Sequence, residues 1–350
     1  MNAKKFSEKL INWYHSHHRP LPWRTTSDPY KIWLSEIILQ QTRVAQGLPY
    51  YQSFVAAFPT VKALAAAREQ KVLRLWQGLG YYSRARNLHA CARHVASQLN
   101  GVFPGTYHDL LKLPGIGPYT AAAIASFAFD QPVAVADGNV FRTLARIFGI
   151  DTDIGTAAGK EVFLAKANQL LDKKRPGLFN QAIMEFGAIH CKPIAPGCDD
   201  CIFKKQCLAR AQNLVHLLPV KSGKRKPKRR HFTYLVFHRD GKLAMKQRLE
   251  KDIWKGLYDF PLIELTPRKA MKWIAKNEPT IKVSTQNIVL QAKHVLTHQV
   301  IEATFLGINS PHGLNNFNKK AIRFFTLRQV HKLPKPTLIT RFLAKSDILE

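Results

Sequence analysis

The stretch Leu113-Pro114-Gly115-Ile116-Gly117-Pro118-Tyr119-Thr120-Ala121 joins two segments of helical pattern. Its glycines permit a tight backbone turn, and Pro118 suits the first turn of the following helix, where no N–H is needed. Backbone amides at such a turn can bind a phosphate without reading sequence, which makes Gly115, Gly117 and Thr120 candidate phosphate contacts. The same residues also suit an ordinary packing joint between helices, and alone they do not choose between the two.

Helical patterns extend outward from this hairpin through the first half of the chain. Residues 4–16 predict a short helix, which the segment Arg19–Arg24 ends. From Tyr30 to about Leu214, helical patterns recur between Pro and Gly punctuation, and no segment predicts a convincing strand. We therefore expect a nearly all-α region over residues 1–218.

The pattern changes at Pro219. Residues 219–230 contain seven Lys or Arg among twelve residues and predict a flexible basic linker. After it the hydrophobic pattern has the two-residue period of β-strands. Strands are expected at 232–237, 242–246, 281–291 and 300–308, and a helix at 268–276. Residues 231–350 are thus predicted to form an α+β domain.

The charge of the chain indicates its partner. It has 350 residues with 53 Lys and Arg against 23 Asp and Glu, a formal net charge of +30. This excess favours a polyanion, because each neutralised phosphate releases condensed counterions. An acidic membrane surface is the alternative, but no amphipathic basic helix stands out. No apolar run approaches the roughly 20 residues that span a bilayer, and the N-terminus has no signal-peptide pattern. We expect a cytoplasmic, nucleoid-associated monomer.

Four of the five cysteines form the pattern C-x6-C-x2-C-x5-C: Cys191, Cys198, Cys201 and Cys207. A structural zinc site usually presents two close C-x2-C pairs, whereas this pattern has one. The spacing suits four thiolates around the corners of a cuboidal iron–sulfur cluster, with zinc as the alternative. Cys91 stands alone and is predicted to be a small residue for helix packing.

Two carboxylates are candidate catalytic groups. Glu36 has Ile32, Leu39 and Gln40 as neighbours at helical spacing. A carboxyl among apolar side chains holds its proton more tightly, as a general acid requires. Asp137 follows an apolar run and precedes a predicted helix, where a helix cap is the structural alternative. For each carboxylate taken alone, the structural interpretation is the simpler one.

Taken together, residues 5–215 resemble the endonuclease III superfamily and, within it, the adenine glycosylases of the MutY type. The order and separation of several segments match that family. Besides the hairpin and the four cysteines, these segments are Leu21–Arg24, Ser35–Thr42, Gly78–Leu88, Asp137–Val140 and Asn180–Gly187.

This resemblance implies DNA base-excision repair on duplexes that pair adenine with 8-oxoguanine or guanine, and one 4Fe-4S cluster. Glu36 would protonate adenine N7, and Asp137 would stabilise the sugar cation, as glycosidic cleavage requires. The remaining roles are an adenine pocket of Leu21, Trp23, Arg24 and Glu185, with Gln41 and Tyr81 filling the base stack.

Tyr119 marks a departure from endonuclease III. Bifunctional members of the superfamily carry a lysine there, whose amine forms a Schiff base with the sugar. With Tyr119 in that place, the resemblance implies a hydrolytic, monofunctional enzyme.

The second half resembles the Nudix-like C-terminal domain of the same glycosylases. The segment Trp254–Pro261 fits, but no Arg-Glu-x-x-Glu-Glu run follows, so the metal-binding box of the Nudix hydrolases is absent. The family reads 8-oxoguanine with a Phe-Ser-His loop, and the matching residues here are Leu296, Thr297 and His298.

Two other functions compete with this interpretation. The first is a bifunctional glycosylase and lyase for pyrimidine lesions, which Tyr119 and the second domain disfavour. The second is a non-catalytic, structure-specific DNA binder, which the presence of both Glu36 and Asp137 disfavours.

Overall fold

The computed structural model describes residues 1–223, 226–308 and 322–345. The chain divides into two compact units. The first, here the helical unit, contains Met1–Ala66 and Ala90–Gly223, and the second, the sheet unit, contains Ala67–His89 and Lys224–Glu350. Residues 67–89 thus group with the C-terminal residues, although they lie inside the predicted helical region. The predicted boundaries at 218 and 231 stay predictions.

Helices account for the regular structure before residue 228. They are α1 Ala3–His17, α2 Pro29–Leu39, α3 Val44–Ala57, α4 Val61–Ala66, α5 Glu69–Leu75, α6 Tyr82–Gln98, α7 Tyr107–Leu110, α8 Pro118–Phe129, α9 Gly138–Phe148, α10 Ala157–Leu170, α11 Pro176–Glu185 and α12 Leu208–Ala211. The expected all-α character is confirmed, since within residues 1–223 the structure contains no strand. None of the described helices is both long and apolar enough to cross a membrane.

The helix ends follow from local chemistry. Asn2 accepts a hydrogen bond from the Lys5 amide at 2.9 Å and so caps α1. Asp28 caps α2 in the same way. Helix α11 passes directly into a π-helical turn, Phe186–His190, which precedes Cys191. Such turns are frequent at functional sites because they re-aim the side chains around them.

The core of the helical unit joins α1 to the helices that follow the hairpin. Buried aromatic side chains dominate it, with Phe6 from α1 stacked on Phe203 at a ring-centroid distance of 4.8 Å. Phe186 meets the edge of Phe203. Cys91, on α6, is also fully buried, which confirms its predicted packing role.

The sheet unit is built on a mixed sheet. The strands run in the order β3-β2-β1-β6-β5, with β4 paired to β1 and β7 to β2. Their bounds are β1 Lys228–Arg239, β2 Lys242–Gln247, β3 Tyr258–Asp259, β4 Leu262–Ile263, β5 Ile288–Val295, β6 Gln299–Ile308 and β7 Ile322–Thr326. Strands β1 and β6 are parallel, and the other pairs are antiparallel. The helices are α13 Pro267–Asn277, α14 Leu327–Lys332 and α15 Thr337–Leu343. The predicted α+β class is confirmed.

Two predicted elements have different bounds. Strand β1 begins at Lys228, inside the predicted linker, because Lys228–Phe237 pairs with β6. The strand expected at 281–291 begins only at Ile288. Ser284 and Asn287 form a reciprocal capping box around a 3₁₀ turn there, and these local hydrogen bonds compete with strand pairing.

Candidate active site

The helical unit contains a cavity of about 620 Å³, and the predicted catalytic and adenine-pocket residues line it. These residues come from the segment before α2, from α2 itself, from the starts of α8 and α9, and from the end of α11. Its lining includes Leu21, Trp23, Arg24, Glu36, Gln41, Tyr119, Asp137 and Glu185. Side chains far apart in sequence therefore line one space.

Glu36 lies on α2 and is 7% exposed. The apolar composition of that helix buries it on most sides, as its sequence neighbours predict. Tyr119 Oη donates a hydrogen bond to Glu36 Oε2 at 2.7 Å. Burial raises the pKa of the Glu36 carboxyl to about 7, and the nearby Asp137 charge adds to this, while the Tyr119 hydrogen bond opposes it. Glu36 can therefore hold or release a proton near neutral pH.

Asp137 is the N-cap of α9. Its Oδ1 accepts hydrogen bonds from the backbone amides of Asn139 and Val140, each at 2.8 Å. Its Oδ2 accepts from Asn139 Nδ2 at 2.7 Å. Burial raises the pKa of Asp137, and these hydrogen bonds oppose that change by stabilising the carboxylate. The carboxylate is thus held rigidly at the cavity wall.

Arg142 connects the start of α9, which carries Asp137, to the π-helical turn through hydrogen bonds. It donates to Asn139 Oδ1 at 3.0 Å, to the Gly187 carbonyl at 2.6 Å and to the Cys191 carbonyl at 2.8 Å. Gly187 permits this approach, because a Cβ there would lie 2.7 Å from both the backbone oxygen and the Cβ of Asn139. The start of α9 and the end of α11 are therefore fixed relative to each other.

Glu185 forms an ion cluster with Arg19 and Arg24. Its side chain is fully buried, and its Oε2 accepts from Arg19 Nη2 and Arg24 Nη2 at 2.6 Å each. Burial by itself raises the pKa of Glu185, but the hydrogen bonds from both arginines bring it to about 2. Glu185 is therefore ionised at any physiological pH and holds Arg24 against the cavity.

Among the cavity residues that sequence reasoning did not single out are Arg19 and Gln181. Gln181 lines the cavity, and its Oε1 accepts a hydrogen bond from Tyr14 Oη at 2.8 Å. The available signal was helical spacing, since Gln181 lies four residues before Glu185 on α11 and so shares its face.

The hairpin positions Tyr119. Gly115 has φ of +76°, a conformation that favours glycine. Gly117 is the N-cap of α8, and Pro118 is its first residue. Thr120 is 2% exposed, and its hydroxyl accepts a hydrogen bond from Gln40 Nε2 at 3.3 Å. Burial thus leaves the backbone amides of this turn, rather than the Thr120 hydroxyl, as the groups available to a phosphate.

The remaining predicted DNA and 8-oxoguanine residues lie in the sheet unit. Leu296, Thr297 and His298 form the turn between β5 and β6, as expected. Thr297 and His298 are exposed, and Leu296 is partly buried. Tyr81 is 41% exposed, and its hydroxyl is hydrogen-bonded to the hydroxyl of Thr297. Two residues more than two hundred positions apart in sequence therefore meet.

The four clustered cysteines line a second, smaller cavity of the helical unit. The Phe203 amide donates to Cys201 Sγ at 3.4 Å, and Arg146 Nη1 lies 3.6 Å from Cys191 Sγ. Arg146 also donates to the carbonyls of Lys192 and Pro193. These hydrogen bonds hold the loop that contributes the four cysteines to the cavity lining.

Comparison with known proteins identifies the family. The family of HhH-GPD superfamily base excision DNA repair proteins matches residues 34–168, and the NUDIX domain family matches residues 232–345. The adenine DNA glycosylase of Buchnera aphidicola subsp. Baizongia pistaciae is 33% identical over 350 residues, covering 99% of this chain and 97% of that protein. The chain belongs to the adenine DNA glycosylase family.

Solved structures agree with the helical fold of this adenine DNA glycosylase family member. A thermostable thymine-DNA glycosylase is 27% identical, with a TM-score of 0.54, and covers 60% of this chain and 97% of its own. Endonuclease III in a non-covalent DNA complex has a TM-score of 0.52 at 20% identity and covers 61% of this chain and 99% of its own, which shows the fold alone. The predicted superfamily, fold class and enzyme class, a DNA glycosylase, are confirmed.

The cysteine loop of this adenine DNA glycosylase family member brings four thiol side chains to the lining of one cavity. Among the described residues, no group of three or more His, Cys, Asp or Glu side chains is arranged to hold one metal ion. The four cysteines nevertheless line one cavity, and donors reach two of their sulfur atoms. Cluster ligands bind separate iron atoms and accept such hydrogen bonds, so this donor set is suited to four iron–thiolate bonds.

Proposed function

We propose that the protein hydrolyses the N-glycosidic bond of adenine paired with 8-oxoguanine or guanine in duplex DNA. The observation that carries this proposal is the pairing, in one cavity, of a buried carboxyl whose pKa is about 7 with a second, firmly hydrogen-bonded carboxylate. Family membership supports adenine as the excised base, because the relatives are named for it.

Glu36 acts as the general acid. Adenine is a poor leaving group until a ring nitrogen is protonated, and N7 is the nitrogen assigned by resemblance to the family. A positioned acid with pKa near the working pH is the most effective, because it is partly protonated and still a good donor. Tyr119 orients the Glu36 carboxyl by donating to Oε2, which leaves Oε1 to carry the proton.

Asp137 stabilises the sugar as the bond breaks. The deoxyribose becomes oxocarbenium-like, and a nearby carboxylate lowers the energy of that cation. The hydrogen bonds from Asn139 and Val140 favour the carboxylate form of Asp137 and hold it in place, so little reorganisation is needed during the reaction. Water then completes the hydrolysis.

The adenine pocket combines apolar walls with a fixed charge. Leu21 and Trp23 are buried at the cavity, and Trp23 is held by an edge contact with Tyr51 at 5.0 Å. Arg24 is fixed by Glu185 and can present its remaining N–H groups to the base. Flat apolar surfaces and one oriented donor suit a flipped purine.

Tyr119 makes the enzyme monofunctional. A Schiff base requires an amine at the sugar, and here a phenol that already donates to Glu36 takes that position. We therefore propose base release without efficient strand cleavage.

Cys191, Cys198, Cys201 and Cys207 would hold a 4Fe-4S cluster. When bound, it supplies cross-links between distant points of the loop, which is a structural contribution. Lys192, Lys204 and Lys205 project from the same loop and add positive charge for a phosphate backbone.

The opposite base is read from the sheet unit. Adenine is a normal base, so its partner must reveal the damage. Thr297 and His298 offer an exposed hydroxyl and imidazole that can probe a purine edge, and Leu296 takes the place of the family aromatic. Tyr81 and Gln41 would fill the base stack, while the amides around Gly115 and Gly117 would bind a phosphate.

The catalytic assignment is tested by Glu36→Gln and Asp137→Asn in single-turnover assays of base release from adenine opposite 8-oxoguanine. Each variant is expected to lose about 10²–10⁴ in rate while duplex binding is retained. Glu161→Gln, at an exposed position on α10, is the matched control. Rates near wild type in either cavity variant would reject the role assigned to that residue.

The opposite-base assignment is tested in the full chain with Thr297→Ala combined with His298→Ala. Contacts to one base edge are worth about 1–3 kcal/mol, so the preference for adenine opposite 8-oxoguanine over adenine opposite guanine should fall by roughly fivefold or more. Thr280→Ala, an exposed threonine in a turn of the same unit, is the control. An unchanged ratio in the double variant would reject this assignment.

A further inference from the structure

The turn Gly78–Tyr81, here the reading turn, has a backbone that needs outside support. Gly78 and Gly80 have φ of +105° and +73°, and Tyr81 has φ of +48°. Glycine adopts such angles easily, but a bulky residue such as Tyr81 does so only under strain. Surrounding contacts must therefore hold Tyr81 in this conformation.

Part of that support is internal to the segment. Trp76 Nε1 donates to the Gly80 carbonyl at 2.9 Å. The Arg84 guanidinium lies over both the Trp76 and Tyr81 rings, at 5.2 and 5.6 Å from their centroids. Tyr81 itself remains 41% exposed, so these contacts cover only part of it.

Gln77, the residue just before the reading turn, connects the segment to the C-terminal part of the chain. Its Oε1 accepts from the Lys335 amide at 3.1 Å, and its Nε2 donates to Thr340 Oγ1 at 3.1 Å. Arg74 Nη1 also donates to Gln77 Oε1, at 2.8 Å, which orients the carboxamide. One side chain thus connects the chain just after α5 to Thr340 on α15 and to Lys335, which lies before the N-cap of α15.

The far side of this bridge is rigid. The Lys335 side chain is buried, and its ammonium donates to the Leu333 carbonyl at 2.9 Å and to the Val330 carbonyl. Tyr82 Oη donates to the Lys335 carbonyl at 3.4 Å. Lys335 therefore anchors the backbone at the C-terminal end of α14, and a group that bonds to it is fixed in turn.

We propose that Gln77 is a positioning residue for opposite-base discrimination. Gln77 connects the reading turn to Lys335 and Thr340 and so keeps the Tyr81 hydroxyl at Thr297. Tyr81, which would fill the base stack, and the turn between β5 and β6, which would contact the opposite base, then act as one surface. This inference rests on the proposed role of Thr297 and Tyr81. Gln77 does not line the catalytic cavity, so its loss should alter the choice of opposite base more than the cleavage of adenine.

The experiment compares Gln77→Ala with Gln70→Ala. Gln70 is the matched control, because it lies on α5, the helix that ends just before Gln77, and donates to Tyr258 Oη at 3.0 Å rather than to Lys335 or Thr340. Single-turnover rates and affinities are measured on adenine opposite 8-oxoguanine and opposite guanine, and amide hydrogen exchange is measured over residues 78–84. In Gln77→Ala the ratio for the two pairs is expected to fall roughly fivefold to tenfold, as the loss of two hydrogen bonds implies. Amide exchange should become faster, and the control should resemble wild type.

Gln77→Glu provides the rescue, because it keeps the acceptor for the Lys335 amide and is expected to restore part of the ratio. Thr340→Val breaks the same bridge from its other end and replaces Gln77→Ala if that variant does not fold. An unchanged ratio in Gln77→Ala, or an equal fall in Gln70→Ala, would overturn the inference. If the wild-type enzyme showed no preference between the two pairs, the proposed opposite-base role would be rejected. The amide exchange rates over residues 78–84 would then still show whether Gln77 holds the reading turn in place.

Discussion

Replacing Tyr119 by phenylalanine removes the hydroxyl that donates to Glu36 Oε2 at 2.7 Å and leaves the ring in place. This hydrogen bond favours the ionised carboxylate, and burial favours the protonated acid. Hydrogen bonds to charged groups contribute about 1.5–3 kcal/mol, and one pKa unit corresponds to about 1.4 kcal/mol. The pKa of Glu36, about 7 in the wild type, should therefore rise by roughly one to two units in Tyr119→Phe.

The assay is the pH dependence of single-turnover base release under saturating enzyme. The general acid must be protonated, so the wild-type rate should fall as the pH rises above about 7. In Tyr119→Phe the same fall should begin roughly one to two pH units higher, because the pKa of Glu36 is raised by that amount. The plateau at lower pH then reports separately on any loss of orientation of the carboxyl.

Tyr30→Phe is the matched control. Tyr30 is also buried, but its hydroxyl donates to the Phe58 carbonyl at 2.6 Å and not to Glu36. In Tyr30→Phe the rate should fall over the same alkaline pH range as in the wild type. If the fall in Tyr119→Phe occurs at the wild-type pH or at a lower pH, either Glu36 is not the acid or Tyr119 does not influence its pKa.

Three further predictions concern the same sites. Glu36→Gln should raise the free energy of unfolding by roughly 3 kcal/mol at alkaline pH, as measured by urea denaturation. The pKa of Glu36 rises from 4.5 in the unfolded chain to about 7 in the folded protein, so the wild-type fold becomes less stable as the pH increases through that range. The gain should vanish below pH 4.5, where both states are protonated, and a pH-independent difference would contradict it. Protein purified anaerobically should contain about four iron and four sulfide per chain, and stoichiometric zinc without sulfide would show that the cysteines hold another metal. Tyr119→Lys should be trapped on DNA by borohydride where the wild type is not, since it supplies an amine at the sugar, and failure to trap would count against that geometry.

Much of the molecule is encoded locally. The cap at Asp137, the proline start of α8 and the burial of Cys91 follow from short-range patterns, because helix periodicity and capping involve residues only three or four positions apart. The cysteine spacing and the carboxylate at Glu36 indicated the chemistry in the same way. The burial of Glu36 could also be expected, since its neighbours on α2 are apolar. The predicted start of a strand at residue 281 was wrong. Ser284 and Asn287 form hydrogen bonds with each other's backbone, so this segment does not pair with a neighbouring strand.

Other properties exist only in the folded chain. The pKa of Glu36 depends on Tyr119, 83 residues away, and the ionisation of Glu185 depends on Arg19, 166 residues away. The bridge from Gln77 to Thr340 spans 263 residues, and nothing in either segment predicts it. Periodicity states which face of a helix is buried but not what it is buried against, because pairing between distant elements is decided by the packing of the whole core. The sequence alone therefore determined the family, the elements and the kinds of reactive group, while tertiary packing decided which groups meet and hence their charge.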